Sequence, residues 1–328
     1  MKYIFLKTIP LLLVGIVWAG FIHAQVVPDP VSLSATPSSP PPRSQVRIHA
    51  STPTFDKNAA IFDWAVDGKA RPDFSGIGKD TITLPTGDVG SSIRVSVAIL
   101  RQDEGEGGEA SLTVYSSDLS LTWFAETYVP KWYRGKALPA QNSIVNIVAV
   151  PQISLGTSPI PTENLLYTWS LDDEEDVVSG VGNQVFRIRV SDLPGVAHDV
   201  RVIVQDSQKR IKKEGRIFLT PSNPRVAVYQ SSPLGGIEPR ASPSFIYAPL
   251  KELDLLVEPF FFPVETKRAL SYAWNVGGND TSGSAQAPFL LTLFPGSQAL
   301  SSIPVSVRVQ TQDSFFLPVS KLLTLFFQ

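Results

Sequence analysis

The residue types that carry most protein chemistry are scarce in this chain. Its 328 residues include three histidines, His23, His49 and His198, and no cysteine. Transition-metal sites draw on several histidine or thiolate ligands, and nucleophilic thiols need cysteine. No His-Glu-x-x-His, Cys-x-x-Cys or His-x-His pattern occurs. No Gly-x-Ser-x-Gly elbow occurs either, and no histidine neighbours a candidate serine, so an activated hydroxyl has no base. His49 sits in an alternating apolar-polar run and reads as an ordinary strand position. No glycine loop opening a helix is present to cradle a phosphate. Glycosidases need two carboxylates across a cleft, and nothing in the spacing of the 30 acidic residues singles out a pair. The chain therefore reads as no enzyme, with no cofactor.

The densest carboxylate run is Asp172-Asp173-Glu174-Glu175-Asp176. Asp172, Asp173 and Asp176 are weak candidates for Ca²⁺, which extracellular modules bind through loop oxygens. The run lacks the alternating ligands and central glycine of an EF-hand, so a solvated acidic turn is the favoured reading. Two further charged turns are Gln102–Glu109, acidic, and Lys209–Lys213, basic. Both read as exposed turns charged for solubility. The acidic one, with Asp103, Glu104 and Glu106, is also a candidate contact for a partner. Net charge is −2, which gives no global field toward nucleic acid.

The elements that position these residues follow from an internal repeat. Tryptophan recurs at an interval of 105 residues in matching surroundings: Phe62-Asp63-Trp64, Tyr167-Thr168-Trp169 and Tyr272-Ala273-Trp274. Each follows an apolar β-like run, at Gln45–Ala50, Ile144–Val150 and Leu253–Val257. Roughly 30 residues later comes strict alternation, at Ile93–Ile99, Val200–Val204 and Val305–Val309, which marks a sheet with one buried face. A polar turn and a last strand close each unit. The 28 prolines, with many valines, serines and threonines, suit short strands and loops rather than helices. The expected fold is all-β: three antiparallel sandwiches of about 100 residues with roughly seven strands each. They span 25–118, 119–222 and 223–328, with Trp64, Trp169 and Trp274 in their cores.

On these aromatic-x-Trp motifs and alternating strands, the units resemble bacterial Ig-like domains of the PKD or fibronectin III kind. The opening Val31–Pro37 is similar to the first strand of such domains. The resemblance covers nearly all of the chain after residue 24 and implies a scaffold whose loops carry function. The Gly-Asp-Gly that often follows the tryptophan in PKD domains is absent, and so is the antibody cysteine pair.

Aromatic loops stand out against this scaffold. Tyr128, Trp132 and Tyr133 fall between the first and second strands of the second unit. Phe260, Phe261 and Phe262 follow the second strand of the third, and Phe315 and Phe316 lie at its sixth-to-seventh turn. In an Ig-like sandwich these loops sit at facing ends of consecutive domains. An apolar interface between the second and third units is expected, with an exposed ligand platform as the rival reading. With very short linkers, the expected whole is a semi-rigid rod whose free end is the tip of the first unit.

The first 24 residues have the layout of a secretory signal. Lys2 and Lys7 precede an apolar run from Ile9 to Ile22, and Ala24 is the small residue before the cut. The run is shorter than a bilayer span needs, so cleavage is favoured over retention as an anchor. No later stretch is apolar enough to span a membrane. The chain is thus expected to be exported, to the surface, periplasm or medium. Its expected role is a spacer or adhesion module whose partner is another envelope protein or a surface polysaccharide. A carbohydrate-binding accessory unit is the alternative.

Overall fold

A computed structural model describes residues 31–327 except 53–55, 102–107, 156–157, 173, 194, 233–234, 239, 243–244, 249–251, 295–301 and 313–316. The chain forms three tandem Ig-like β-sandwiches. Among the described residues no helix is long and apolar enough to cross a membrane.

In the first sandwich, strands Ser32–Thr36, Gln45–Ser51 and Thr81–Pro85 make one sheet. Lys69–Ala70, Ala60–Val66, Ser92–Arg101 and Gly108–Tyr115 make the other, with Gly76–Ile77 also paired to Ala60–Val66. Alternation decides which face is buried: Val46, Ile48 and Ala50 point inward from one sheet, and Val95, Val97 and Ile99 from the other. The second sandwich repeats the plan. Asp118–Ala125, Ile144–Gln152 and Val185–Arg189 oppose Glu174–Val181, Leu166–Leu171, His198–Gln205 and Lys212–Leu219. In the third, the sheet of Gly236–Ile237, Arg225–Ser232, Leu253–Phe260 and Leu290–Leu293 opposes one built on Leu270–Val276, Ile303–Thr311 and Val319–Phe327. Three separate apolar clusters form the three cores.

Each core is organised by its tryptophan. Trp64, Trp169 and Trp274 are all buried. Each indole Nε1–H donates across the sandwich, to the carbonyls of Lys79 (2.8 Å), Asn183 (2.8 Å) and Pro288 (3.0 Å). Those carbonyls stand just before strands Thr81–Pro85, Val185–Arg189 and Leu290–Leu293 of the opposing sheet. The indole therefore fills the core and pins the two sheets in register, satisfying a polar atom that burial would otherwise penalise. A one-turn 3-10 helix precedes each tryptophan strand, at Lys57–Ala59, Thr162–Asn164 and Lys267–Ala269. Tyr167 and Tyr272 donate their hydroxyls back to it, to Thr162 O (3.0 Å) and Lys267 O (2.8 Å). Phe62 holds the same place in the first sandwich without that bond.

Two departures from the sequence expectation appear. The acidic run is not a simple turn: from Glu174 onward it belongs to the edge strand Glu174–Val181, while Asp172 lies in a turn. Edge strands tolerate charge because one side faces water. The third sandwich also carries Phe245–Ala248, which pairs in parallel with Val319–Phe327 after its first strand has paired with Leu253–Phe260. Arg225–Ser232 thus joins one sheet and Phe245–Ala248 edges the opposing one.

Candidate functional site

Only Ser116 and Ser117 separate the last strand of the first sandwich from the first strand of the second. Both are buried. Ser117 N–H donates to Pro40 O at 3.1 Å. From the second sandwich, Lys212 N–H donates to Ser39 Oγ (3.2 Å) and Lys213 Nζ to Ser39 O (2.7 Å). Burial pulls the Lys213 ammonium below its usual pKa, with Asp118 opposing. The basic segment Lys209–Lys213 is therefore not merely an exposed turn. Its Ile211 is buried in the core, Arg210 pairs with Asp206 at 2.9 Å, and Lys213 reaches across the joint.

The second joint is aromatic. The loop between strands Asp118–Ala125 and Ile144–Gln152 carries Tyr128, Trp132 and Tyr133 to the third sandwich. Tyr128 and Phe262 form an isolated antiparallel bridge across the domains. Tyr128 N–H donates to Phe262 O (2.8 Å) and Phe261 N–H to Tyr128 O (2.7 Å). Phe261 takes φ +64 to make the turn, a conformation that a bulky residue adopts only when its surroundings hold it. Around this bridge the rings meet edge to face. Trp132 lies 5.6 Å from Tyr229 and 6.0 Å from Phe260; Tyr133 lies 5.5 Å from Phe260 and 6.0 Å from Phe261. Such pairs contribute on the order of 0.5–1.5 kcal/mol each beyond the area they bury. Pro139 O also accepts from Ser222 N (2.8 Å) and Ser222 Oγ (2.9 Å), which ties the same loop to the end of the second unit.

Beside the rings lies a buried polar group that no local sequence pattern marks. The Glu258 side chain is 4% exposed, pairs with Lys267 Nζ at 2.5 Å and accepts from Tyr128 Oη at 3.4 Å. Lys267 also lies over the Phe289 ring at 4.1 Å. Burial, and then the Glu258 charge, push the Tyr128 hydroxyl up to about 12, and the same causes raise Tyr229.

The other candidate residues are dispersed. Asp172 takes φ +55, and its two oxygens are occupied: Oδ1 accepts from Asp199 N–H (2.9 Å) and Oδ2 faces His198 Nδ1 (2.9 Å). Asp67 plays the matching part in the first sandwich, at φ +49, by accepting from Arg94 N–H. Asp172 thus holds this turn through both of its oxygens. Asp173 lies outside the described residues, Asp176 lies in the edge strand, and no metal-binding cluster occurs among the described residues. Asp103, Glu104, Glu106, Phe315 and Phe316 also lie outside the described residues. His198 accepts from Ser191 N–H at Nε2 (2.9 Å), which places its proton on Nδ1 facing Asp172. Both ring nitrogens are thereby used structurally.

The aromatic joint leaves one face open. Trp132 is 48% exposed. With Tyr229, Ile237 and Glu238 it lines an open cavity of about 290 Å³. Ile237 and Glu238 stand at strand Gly236–Ile237, on the edge of the third sandwich.

No family model matches the chain, and no curated protein matches it. Among solved structures it is similar to the three N-terminal domains of the bacteriophage RB49 highly immunogenic outer capsid protein, at 12% identity and TM-score 0.27, over 92% of this chain and 99% of that one. It is similar to the fibronectin(III)-like modules of Clostridium thermocellum CbhA, at 12% identity and TM-score 0.29, over 58% of this chain and 94% of that one. A third likeness is to Bacteroides ovatus SGBP-B in complex with a mixed-linkage heptasaccharide, at 10% identity and TM-score 0.19, over 90% of this chain and 70% of that one. These scores are too low to bear on function. The fold assignment rests on the sheets and cores described above.

Proposed function

We propose that this chain is a non-catalytic exported surface or envelope protein, a semi-rigid spacer that holds an interaction surface at a fixed distance. The observation that supports it most is the bonding of both joints. The first is crossed by hydrogen bonds from Lys212 N–H and Lys213 Nζ to Ser39, and the second by main-chain hydrogen bonds, a bridge and an aromatic cluster. Joints between independent modules need none of this, since relative motion is the default for small polar interfaces. The joint residues of the second sandwich lie at its two ends, Lys212–Lys213 at the start of a strand and Tyr128–Tyr133 in a loop, which favours an extended chain. The partner is another envelope or surface protein. A polysaccharide is supported by the exposure of Trp132, but its ring stands at 78° to Tyr229 rather than coplanar with it.

Two measurements test this. Fractionation of the producing cells, with protease added outside, should find the protein exported and cleavable; a cytoplasmic, protected protein contradicts export. X-ray scattering in solution should give a radius of gyration of roughly 30 Å, as three units each about 30 Å long would in a row. A value near about 19 Å, that of a compact body of this length, would contradict the spacer.

A further inference from the structure

The open cavity at the second joint has a shape and charge that select a ligand class. Two of its walls are aromatic and nearly perpendicular: Trp132 and Tyr229, with ring centroids 5.6 Å apart and planes at 78°. The C–H face of a sugar ring stacks best on one broad face or on coplanar faces, whereas a corner of two rings suits a compact, roughly spherical group. The third wall is Ile237, 41% exposed. The fourth is Glu238, the one charged residue among the described lining residues, and its carboxylate makes no ion pair among the described residues. Lys131 and Arg134 flank Trp132 in sequence and are exposed, but neither is among the described residues that line the cavity.

We propose that this corner binds a quaternary ammonium group, such as a trimethylammonium head. Indole and phenol faces attract a cation through their quadrupoles, and that attraction survives best where the cation is weakly hydrated. Glu238 supplies the countercharge at the rim. The predominantly apolar lining favours an alkylated cation over a primary ammonium or a guanidinium, whose several N–H donors would find few acceptors beyond Glu238 and the Tyr229 hydroxyl among the described lining residues. The site is assembled from two domains: Trp132 comes from the second sandwich, and Tyr229, Ile237 and Glu238 from the third. Ligand binding and joint stiffness are therefore linked, because the cation is held only while the joint is closed. This proposal does not depend on where the protein resides in the cell.

The test is calorimetric or NMR titration of the intact protein with choline, with its neutral isostere 3,3-dimethylbutan-1-ol, and with a mixed-linkage glucan oligosaccharide. Choline should bind, and the isostere should bind about tenfold more weakly or not at all. Glu238→Gln should weaken choline about tenfold, and Trp132→Ala should abolish binding. Trp132→Phe keeps a ring at the joint, so it should retain part of the affinity even if the alanine variant loosens the domains. Equal binding of choline and its isostere would overturn the proposal in favour of a merely apolar pocket. Binding of the oligosaccharide alone would overturn it in favour of a sugar site, and binding of none of the three would leave no site at all.

Discussion

Glu258 and Lys267 offer the sharpest energetic test of how the second joint is built. Replacing Glu258 with leucine removes a carboxylate that is 4% exposed and leaves the Lys267 ammonium, 19% exposed, facing Phe289 without a countercharge. Breaking a buried pair from one side costs about 3–5 kcal/mol, because the remaining charge has been taken out of water. The Phe289 face under Lys267 is the same before and after the change, so it does not alter the difference. The expected loss for the third sandwich is therefore about 3–5 kcal/mol. Removing both charges, with Glu258→Leu and Lys267→Met together, should restore most of it, since an apolar pair of similar size is often neutral or better than a buried ion pair. Hydrogen exchange of amides in Leu270–Val276 and Ile303–Thr311 reports the opening free energy of this domain without requiring the whole chain to unfold in one step. A loss below about 0.5 kcal/mol in the single variant would refute the reasoning, since ordinary surface changes fall in that range. So would a double variant no more stable than the single one.

Other outcomes follow from the same structure. The Tyr128 hydroxyl is held up to about 12 by burial and by Glu258, so its contribution to the joint is complete below its ordinary pKa of about 10 and is lost as pH rises through about 12. Absorbance titration of the phenolates should show one late-titrating tyrosine fewer in Tyr128→Phe. Trp169→Phe leaves the Asn183 carbonyl without its 2.8 Å donor and opens space in the second core, and should cost on the order of 2–3 kcal/mol by urea unfolding. Tyr167→Phe removes only the bond to Thr162 O and should cost about 1 kcal/mol. Lys213→Met deletes the 2.7 Å bond to Ser39 O, and should widen the spread of distances between the first and second sandwiches without unfolding either.

The features legible in the sequence were those with a local period. Alternation at Ile93–Ile99 or Val200–Val204 marks a half-buried strand because every second residue must leave the water, and each tryptophan marks a core because few sandwich positions hold so large a ring. The meeting of Tyr128, Trp132 and Tyr133 with Phe260 and Phe261 followed from sandwich topology together with loop composition. Features that depend on contacts far apart in the chain were not legible. Charge at Glu174 and Glu175 reads as a turn, yet an edge strand accepts it. Nothing near Lys213 signals that its partner is Ser39, far earlier in the chain. Glu258 sits in the apolar run Leu253–Phe260, where only the position of Lys267 reveals why a carboxylate can be buried. Glu238 joins Trp132 only because the joint closes.

The absence of cysteine makes the proposed spacer directly measurable, because spin labels can be placed on introduced thiols alone. Thr83→Cys with Val185→Cys spans the first joint, and Val185→Cys with Ser271→Cys spans the second; all three positions are exposed. Pulsed electron–electron resonance on the intact protein should give one narrow distance distribution for each pair, and Trp132→Ala should broaden the second alone. Broad or multiple distributions at both joints of the unmodified chain would contradict a semi-rigid spacer.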